Sequence, residues 1–263
     1  MKNRCLTLVF LLISVAANAQ PETAVVPLKV AMVQATPVWG DVEKNLENYA
    51  NRIKECIGSD LIVLPEFFTT GAQMNKKSRE ESIAEKEYAA FYYLLVVETM
   101  QEWAAQTQAL VMGSTVYAGD GKFFNRLIVA YPNGRVRYYD KANPFKKGLY
   151  SAGNEQLIID YKGHKIATYI CYDLRFAEWS RNTTGYDIAV YVANWPESRH
   201  NDWETLLCER AVENNATVIG VNCTGEDPFG LKYAGESVVV NPKGEVVKRA
   251  AKSTDQTIFV ELE

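Results

Sequence analysis

The sequence alternates strand-like and helix-like segments, and this alternation restricts the fold more than any other feature. Residues 29–35 and 61–64 are short apolar runs that predict buried strands. Between them, residues 42–57 carry apolar side chains at every third or fourth position, which predicts an amphipathic helix. Residues 80–106 extend the pattern as a long predicted helix. A chain that alternates in this way favours an α/β fold with helices packed outside β-sheet.

The rest of the chain continues in the same style. Strand-like runs are predicted at residues 109–117, 126–131, 135–139, 164–170, 188–192, 217–222, 236–241 and 256–262, with helices at 174–182 and 203–214. The Asn133-Gly134 turn joins two of these strands as a hairpin. No linker rich in Gly, Ser or Pro divides the chain, so we expect one domain.

The composition argues against several classes of function. Of the 263 residues, 28 are Lys or Arg and 32 are Asp or Glu, and no basic block or zinc-finger spacing occurs, so we expect no nucleic-acid partner. The histidines are His164 and His200, and no CxxC motif is present. We therefore expect no metal site.

The N-terminus has the pattern of an export signal. Lys2 and Arg4 precede an almost wholly apolar stretch at residues 6–17, and Ala17-Asn18-Ala19 supplies a signal-peptidase site. We predict a signal peptide at residues 1–19 and a mature domain at 20–263, periplasmic or secreted and without stable membrane insertion. The alternative is an uncleaved segment that anchors the protein.

Three reactive side chains follow strand-like runs, where loops on a rigid scaffold commonly build active sites: Glu66, Lys141 and Cys171. Cys171 lies between a predicted strand and a predicted helix, a position that stabilises a thiolate nucleophile. Glu66 in a pocket could act as its general base, and Lys141 could stabilise an oxyanion. Each residue type, taken alone, is more often structural or on the surface.

Taken together, these segments resemble the nitrilase superfamily of carbon–nitrogen hydrolases. The resemblance runs from about Lys29 to the C-terminus. It rests on Leu64-Pro65-Glu66-Phe67, Tyr139-Asp140-Lys141, Cys171-Tyr172-Asp173-Leu174-Arg175-Phe176, Tyr191-Val192-Ala193-Asn194-Trp195-Pro196 and Arg210-Ala211-Val212-Glu213-Asn214. The third and fourth of these resemble the omega-amidase branch, whose substrates are small amides such as 2-oxoglutaramate.

The resemblance implies a four-layer α-β-β-α sandwich, a homodimer and a small-molecule amide substrate, and it implies that no metal or organic cofactor is required. It implies that Cys171 forms a thioester, with Glu66 as base and Lys141 and the Tyr172 amide at the oxyanion. Arg175 is expected to hold a substrate carboxylate, or else to pair with an acidic neighbour such as Asp173. Tyr172, Phe67 and Trp195 are the further expected substrate-binding residues, with core packing as their alternative role.

One part of the family pattern is missing. Members usually have a second glutamate between the lysine and the cysteine, but Glu155 is the only glutamate there, and its place does not match. Glu197 or Glu236 could replace it. The alternatives are therefore a catalytically weakened member that binds or assembles, or an amidase for another small amide. A Cys–His protease that uses His200 is a third reading.

Overall fold

The computed structural model of the protein describes residues 26–72, 78–145 and 149–263, so the predicted signal peptide lies outside the described residues. The helices are α1 Val42–Glu55, α2 Arg79–Phe91, α3 Tyr93–Thr107 and α4 His200–Asn214. The strands are β1 Leu28–Gln34, β2 Leu61–Val63, β3 Leu110–Gly119, β4 Lys122–Ala130, β5 Val136–Asp140, β6 Leu157–Tyr161, β7 His164–Ile170, β8 Ile188–Ala193, β9 Thr217–Asn222, β10 Thr224–Glu226, β11 Lys232–Ala234, β12 Val238–Val240, β13 Val246–Arg249 and β14 Gln256–Leu262.

Most of these strands form two six-stranded sheets. The first sheet has the order β14-β1-β2-β3-β4-β5, with β1, β2 and β3 parallel and the other pairs antiparallel. The second has the order β13-β12-β9-β8-β7-β6, with β7, β8 and β9 parallel. Each sheet therefore has a parallel centre and antiparallel edges, and the ends of its parallel strands meet along one side.

The hydrophobic side chains show how the layers stack. One core joins the inner face of the first sheet to the second sheet and to Trp203, Leu207 and Ala211 of α4. A second core packs the outer face of the first sheet against α1 and α3. The parallel strands at the centre of each sheet are buried on both faces, which explains their continuous apolar runs. The predicted four-layer α-β-β-α sandwich is thus confirmed. None of the described helices is long and apolar enough to cross a membrane.

Two predicted helices differ from the structure. Residues 80–106 form two helices, α2 and α3, that meet at Tyr92, whose backbone N–H donates to the Ala90 carbonyl. Neither Gly nor Pro marks this break, so the sequence did not show it. The helix predicted at residues 174–182 is instead a short 3-10 turn, Cys171–Arg175, that begins at the cysteine itself. Asp173 shapes this turn by accepting a hydrogen bond from the Ile170 backbone N–H.

Candidate active site

Glu66 lies just beyond the carboxyl end of β2, a central strand of the first sheet. Its side chain is buried. Asn125 Nδ2 and Lys141 Nζ both donate to Glu66 Oε1 at 2.7 Å, and the Asn194 backbone N–H donates to Glu66 Oε2 at 2.8 Å. The next residue, Phe67, has a φ of 45°, a left-handed conformation uncommon outside glycine. The turn and the three donors fix the Glu66 carboxylate in one orientation.

Lys141 follows β5 and is only 4% exposed. Burial by itself lowers the pKa of the Lys141 ammonium, but the negative charges of Glu66 and Asp173 outweigh it and raise the pKa. The side chain therefore stays charged at neutral pH. Its ammonium forms an ion pair with Glu66, and the two buried charges compensate each other.

Cys171 follows β7 of the second sheet and is 8% exposed. Its φ of 45° also lies in the left-handed region, so the chain turns sharply where the strand ends. Burial raises the pKa of the Cys171 thiol above its usual range, and the charge and hydrogen bond of Glu66 raise it further. Lys141 and the Asn194 amide act in the opposite direction. The thiol is thus neutral at rest and lies beside a carboxylate that can accept its proton.

Asp173, two residues beyond the cysteine, ties this turn to the lysine loop. Its carboxylate accepts hydrogen bonds from the Tyr139 hydroxyl at 2.8 Å and from the Asn143 backbone N–H at 2.8 Å. Burial raises the pKa of the Asp173 carboxyl, while Lys141 and these donors lower it. The loops that carry Lys141 and Cys171 are therefore held in register by one buried side chain.

Sequence reasoning missed two amide side chains of the site. Asn125 lies on β4 and is buried, and Asn194 follows β8 and is also buried. The Asn194 side chain donates to the Glu66 backbone carbonyl, and its Oδ1 accepts from the Cys223 thiol at 3.0 Å. The available signal was a lone amide in otherwise apolar strand sequence, because a buried amide needs polar partners.

A cavity of about 410 Å³ opens on Glu66 and Lys141. Its wall is formed mainly by the turn after Glu66, by α2 and by the segment after Lys141, and it includes the apolar side chains of Phe67, Ala72, Ala89, Val116, Phe145, Leu149 and Tyr150. Cys171 is not among the residues of this wall, but it lies close enough to Glu66 for the charge and hydrogen bond of the carboxylate to raise the pKa of its thiol. A small, mostly apolar cavity with a few convergent polar groups suits a small-molecule substrate.

Of the four expected substrate-binding residues, one lines the cavity and three do not. Phe67 lines the cavity and packs on Tyr150, with 5.4 Å between ring centroids. Tyr172, Arg175 and Trp195 are outside the cavity wall. Tyr172 packs on Phe145 with a centroid distance of 5.2 Å, so it lies one ring behind the wall.

Arg175 has partners of its own. Its guanidinium lies 2.5 Å from Asp202 and 4.9 Å from the Trp195 ring centroid, and its side chain is 29% exposed. The acidic partner is therefore Asp202 and not Asp173. Trp195 is buried and donates from its indole N–H to the Arg199 carbonyl. These contacts tie Arg175 and Trp195 to α4 and the turn before it.

The residues considered as a second glutamate or as a histidine partner of Cys171 do not line the cavity. Glu197 pairs with Lys252, and Glu236 lies 3.1 Å from His200 Nδ1; neither glutamate lines the cavity. Among the acidic residues that the structure describes, those of the cavity wall are Glu66 and Glu85 of α2. His164 bonds the Val26 carbonyl. Both histidines thus have partners other than Cys171.

Within residues 26–72, 78–145 and 149–263, no group of three or more His, Cys, Asp or Glu side chains is arranged to hold a metal ion. The site shown by the described residues is instead an acid, a cation and a thiol brought together from three strand ends. Such a set can move a proton, form a bond to carbon and stabilise negative charge on oxygen.

Known proteins are similar to this chain in sequence. The family model for carbon–nitrogen hydrolases matches residues 29–263. Omega-amidase YafV of Escherichia coli strain K12 is 38% identical over 239 residues, which are 89% of this chain and 90% of that protein. The 2-oxoglutaramate amidase of Bacillus subtilis strain 168 is 31% identical over 211 residues, 76% of each protein.

A solved structure agrees with the sequence comparisons. The CN-hydrolase superfamily protein XC1258 from Xanthomonas campestris has an arsenic adduct in its active site. It superposes with a TM-score of 0.82 at 33% identity and covers 90% of this chain and 91% of its own. The predicted resemblance to the nitrilase superfamily and its omega-amidase branch is confirmed by these relatives.

Proposed function

The chain belongs to the carbon–nitrogen hydrolase family, and we propose that it is an omega-amidase that converts a short carboxylate-bearing amide to the acid and ammonia. The observation that carries this proposal is the buried Glu66–Lys141 pair beside Cys171, at a cavity of small-molecule size. The names of the relatives, omega-amidase and 2-oxoglutaramate amidase, support the same substrate class.

The first half of the reaction forms a thioester. Glu66 takes the proton of the Cys171 thiol, and the sulfur attacks the amide carbon to give a tetrahedral intermediate. Lys141 and the backbone N–H of Tyr172 stabilise its oxyanion. As the carbon–nitrogen bond breaks, Glu66 returns the proton to the nitrogen and ammonia leaves. The acyl group remains on the Cys171 sulfur.

The second half hydrolyses that thioester. A water molecule gives a proton to Glu66 and its oxygen attacks the thioester carbon. The carbon–sulfur bond then breaks, the sulfur recovers its proton from Glu66, and the acid is released. Glu66 serves as base and acid in turn, for which its three fixed hydrogen-bond donors keep it oriented.

The test is ammonia release by the mature protein from 2-oxoglutaramate, succinamate and glutamine, beside Cys171→Ala. Release from the 2-oxo acid amide that disappears in Cys171→Ala is the expected result. No release from any of the three, while Cys171 still reacts with a thiol reagent, would contradict an omega-amidase and favour another small amide.

The missing second glutamate supports one alternative, a weakened member that binds an amide or acid or assembles with a partner. Neither Glu197 nor Glu236 reaches the cavity wall. A Cys171 that alkylates no faster than an exposed model thiol, together with absent turnover, would favour this alternative.

We also propose that the protein is exported after cleavage behind Ala19 and that it forms a homodimer. The positive, apolar and small-residue regions of residues 1–19 support export. A mature chain that begins at Gln20 by mass spectrometry, and a dimer mass by light scattering, are the expected results. An intact N-terminus or a stable monomer would contradict the respective proposal.

A further inference from the structure

Lys86 is a buried lysine in the wall of the substrate cavity. It lies on α2, is 6% exposed and lines the same cavity as Glu66 and Lys141. Its ammonium lies 5.2 Å from the ring centroid of Tyr150 and 5.5 Å from that of Phe123. Lysine is almost never fully buried unless it is paired, so this position calls for an explanation.

The partners of Lys86 leave its charge uncompensated. Its Nζ donates a 2.8 Å hydrogen bond to the Leu149 carbonyl, but an ammonium has three N–H donors. In the part of the chain that the structure describes, no carboxylate forms an ion pair with it. Burial lowers the pKa of Lys86, and the positive charge of Arg79 lowers it further. A negative charge bound in the cavity beside Lys86 would raise its pKa and oppose both effects.

The other charged groups of the cavity do not supply that anion. Glu66 and Lys141 form a buried pair that is neutral overall. Glu85, which also lines the wall, has an interaction of its own and precedes Lys86 by one position on the helix. Successive helical residues project about 100° apart, so the two side chains leave α2 in different directions.

We propose that Lys86 binds the carboxylate of the amide substrate and thereby selects carboxylate-bearing amides over neutral ones. This inference rests on the proposed amidase function and names the residue that defines its substrate class. Arg175, the guanidinium first expected in this role, is outside the wall and already paired with Asp202. Phe123 and Tyr150 keep water from the Lys86 ammonium, which strengthens its attraction for a carboxylate.

The experiment compares two amides that differ at one end. Succinamate carries a carboxylate where butyramide has a methyl group. For the unaltered protein we expect kcat/KM for succinamate to exceed that for butyramide. Lys86→Met should lower kcat/KM for succinamate about tenfold to a hundredfold, mainly through KM, and change that for butyramide by less than about threefold. Lys86→Arg should restore part of the preference.

Controls separate this role from a structural one. Lys248→Met removes an exposed lysine of β13, away from the cavity, and should change neither ratio. Thermal unfolding shows whether Lys86→Met is folded, and Lys86→Gln serves if it is not. A loss that is equal for both amides, or an unchanged preference, overturns the inference, because Lys86 would then support the fold or the carboxylate would bind elsewhere.

A binding measurement keeps the inference testable if no amide is hydrolysed. Succinate binding to the unaltered protein and to Lys86→Met is then compared by calorimetry. Binding that is lost in Lys86→Met supports the carboxylate site even though the proposed reaction fails. Binding that is absent or equal in both proteins overturns the carboxylate site independently of catalysis.

Discussion

The Tyr139 hydroxyl donates a 2.8 Å hydrogen bond to the Asp173 carboxylate, and this contact joins the two sheets beneath the candidate active site. Tyr139 lies on β5, two residues before Lys141, and Asp173 lies two residues after Cys171. The same hydroxyl accepts from the Ala142 backbone N–H at 3.1 Å and from the Trp179 indole N–H at 2.9 Å. One oxygen atom thus helps to set the distance between the lysine and the cysteine.

Replacing this hydroxyl should affect both stability and rate. Tyr139→Phe removes one of the two donors to Asp173 Oδ2 and leaves the Ala142 and Trp179 N–H groups without their acceptor. We therefore expect a loss of about 1–3 kcal/mol in the free energy of unfolding. We also expect kcat to fall, because the Lys141 loop is no longer held to the Cys171 turn. Urea unfolding and ammonia release measure the two effects.

Tyr138→Phe is the matched control for this change. Tyr138 neighbours Tyr139 on the same strand but is 55% exposed, so losing its hydroxyl should change the free energy of unfolding by less than about 0.5 kcal/mol. Equal effects of the two substitutions would show that the Tyr139 hydroxyl has no special role.

The pH dependence of Cys171 alkylation tests the electrostatics of the thiol. Because the pKa of Cys171 is raised above its usual range, the thiolate fraction should rise about tenfold per pH unit from pH 6 to pH 9 without a plateau. The rate with iodoacetamide, followed by mass spectrometry of the peptide that contains Cys171, should show this slope. Lys141→Met should slow the reaction at each pH, since the Lys141 charge favours the thiolate.

The raised pKa of the Cys171 thiol also limits the pH range of this experiment. A thiol whose folded pKa lies above its unfolded value of about 8.5 favours folding below that pH and loses this contribution as the pH rises further. The experiment therefore stays at or below pH 9. A rate that levels off near pH 7 would mean that the resting site already holds a thiolate.

The Glu66–Lys141 pair should show strong coupling in a double-mutant cycle. Lys141→Met leaves the buried Glu66 carboxylate without its cation, and we expect a loss of about 3–5 kcal/mol in the free energy of unfolding. Glu66→Gln combined with Lys141→Met should cost less than the sum of the single changes. Additive costs in urea unfolding would count against a direct pair.

The two cysteines near the site should differ sharply. The Cys223 thiol is buried, donates to the Asn194 side chain and is not among the residues that line the cavity. Cys223→Ala should therefore retain ammonia release within about tenfold and cost about 1 kcal/mol of unfolding free energy. Cys171→Ala should abolish release while the protein stays folded. Loss of activity in both variants would show that the Asn194 contact is required for turnover.

The strand–helix alternation predicted an α/β fold, whereas the four-layer sandwich came only from the resemblance to the nitrilase superfamily. Apolar runs identified the buried strands, and Glu66, Lys141 and Cys171 lie at or just beyond the ends of β2 and β5 of the first sheet and β7 of the second. The 3-10 turn at Cys171 could not be predicted, because it depends on the Asp173 side chain bonding the Ile170 N–H. The spacing of apolar residues along the sequence does not predict a hydrogen bond between a side chain and the backbone.

The cavity wall was harder to predict for a different reason. Lys86 lies in a stretch of charged residues, and such a pattern predicts a solvent-exposed helix face. The break between α2 and α3 at Tyr92 is not marked by Gly or Pro. Lys86 is buried because α2 packs against Phe123 and Tyr150, and both of these residues lie far from Lys86 in the sequence. Only the packed arrangement shows that the lysine of this helix faces inward.

The origin of the cavity wall has a consequence for how such a protein can diverge. The groups that break the bond come from strand ends in the middle of the sandwich, whereas Lys86 comes from a helix on its outside. A substitution in α2 can therefore exchange one class of amide for another and leave the bond-breaking chemistry intact. Substrate choice and reactivity are carried by separate parts of the chain, so natural variation can act on one without disabling the other.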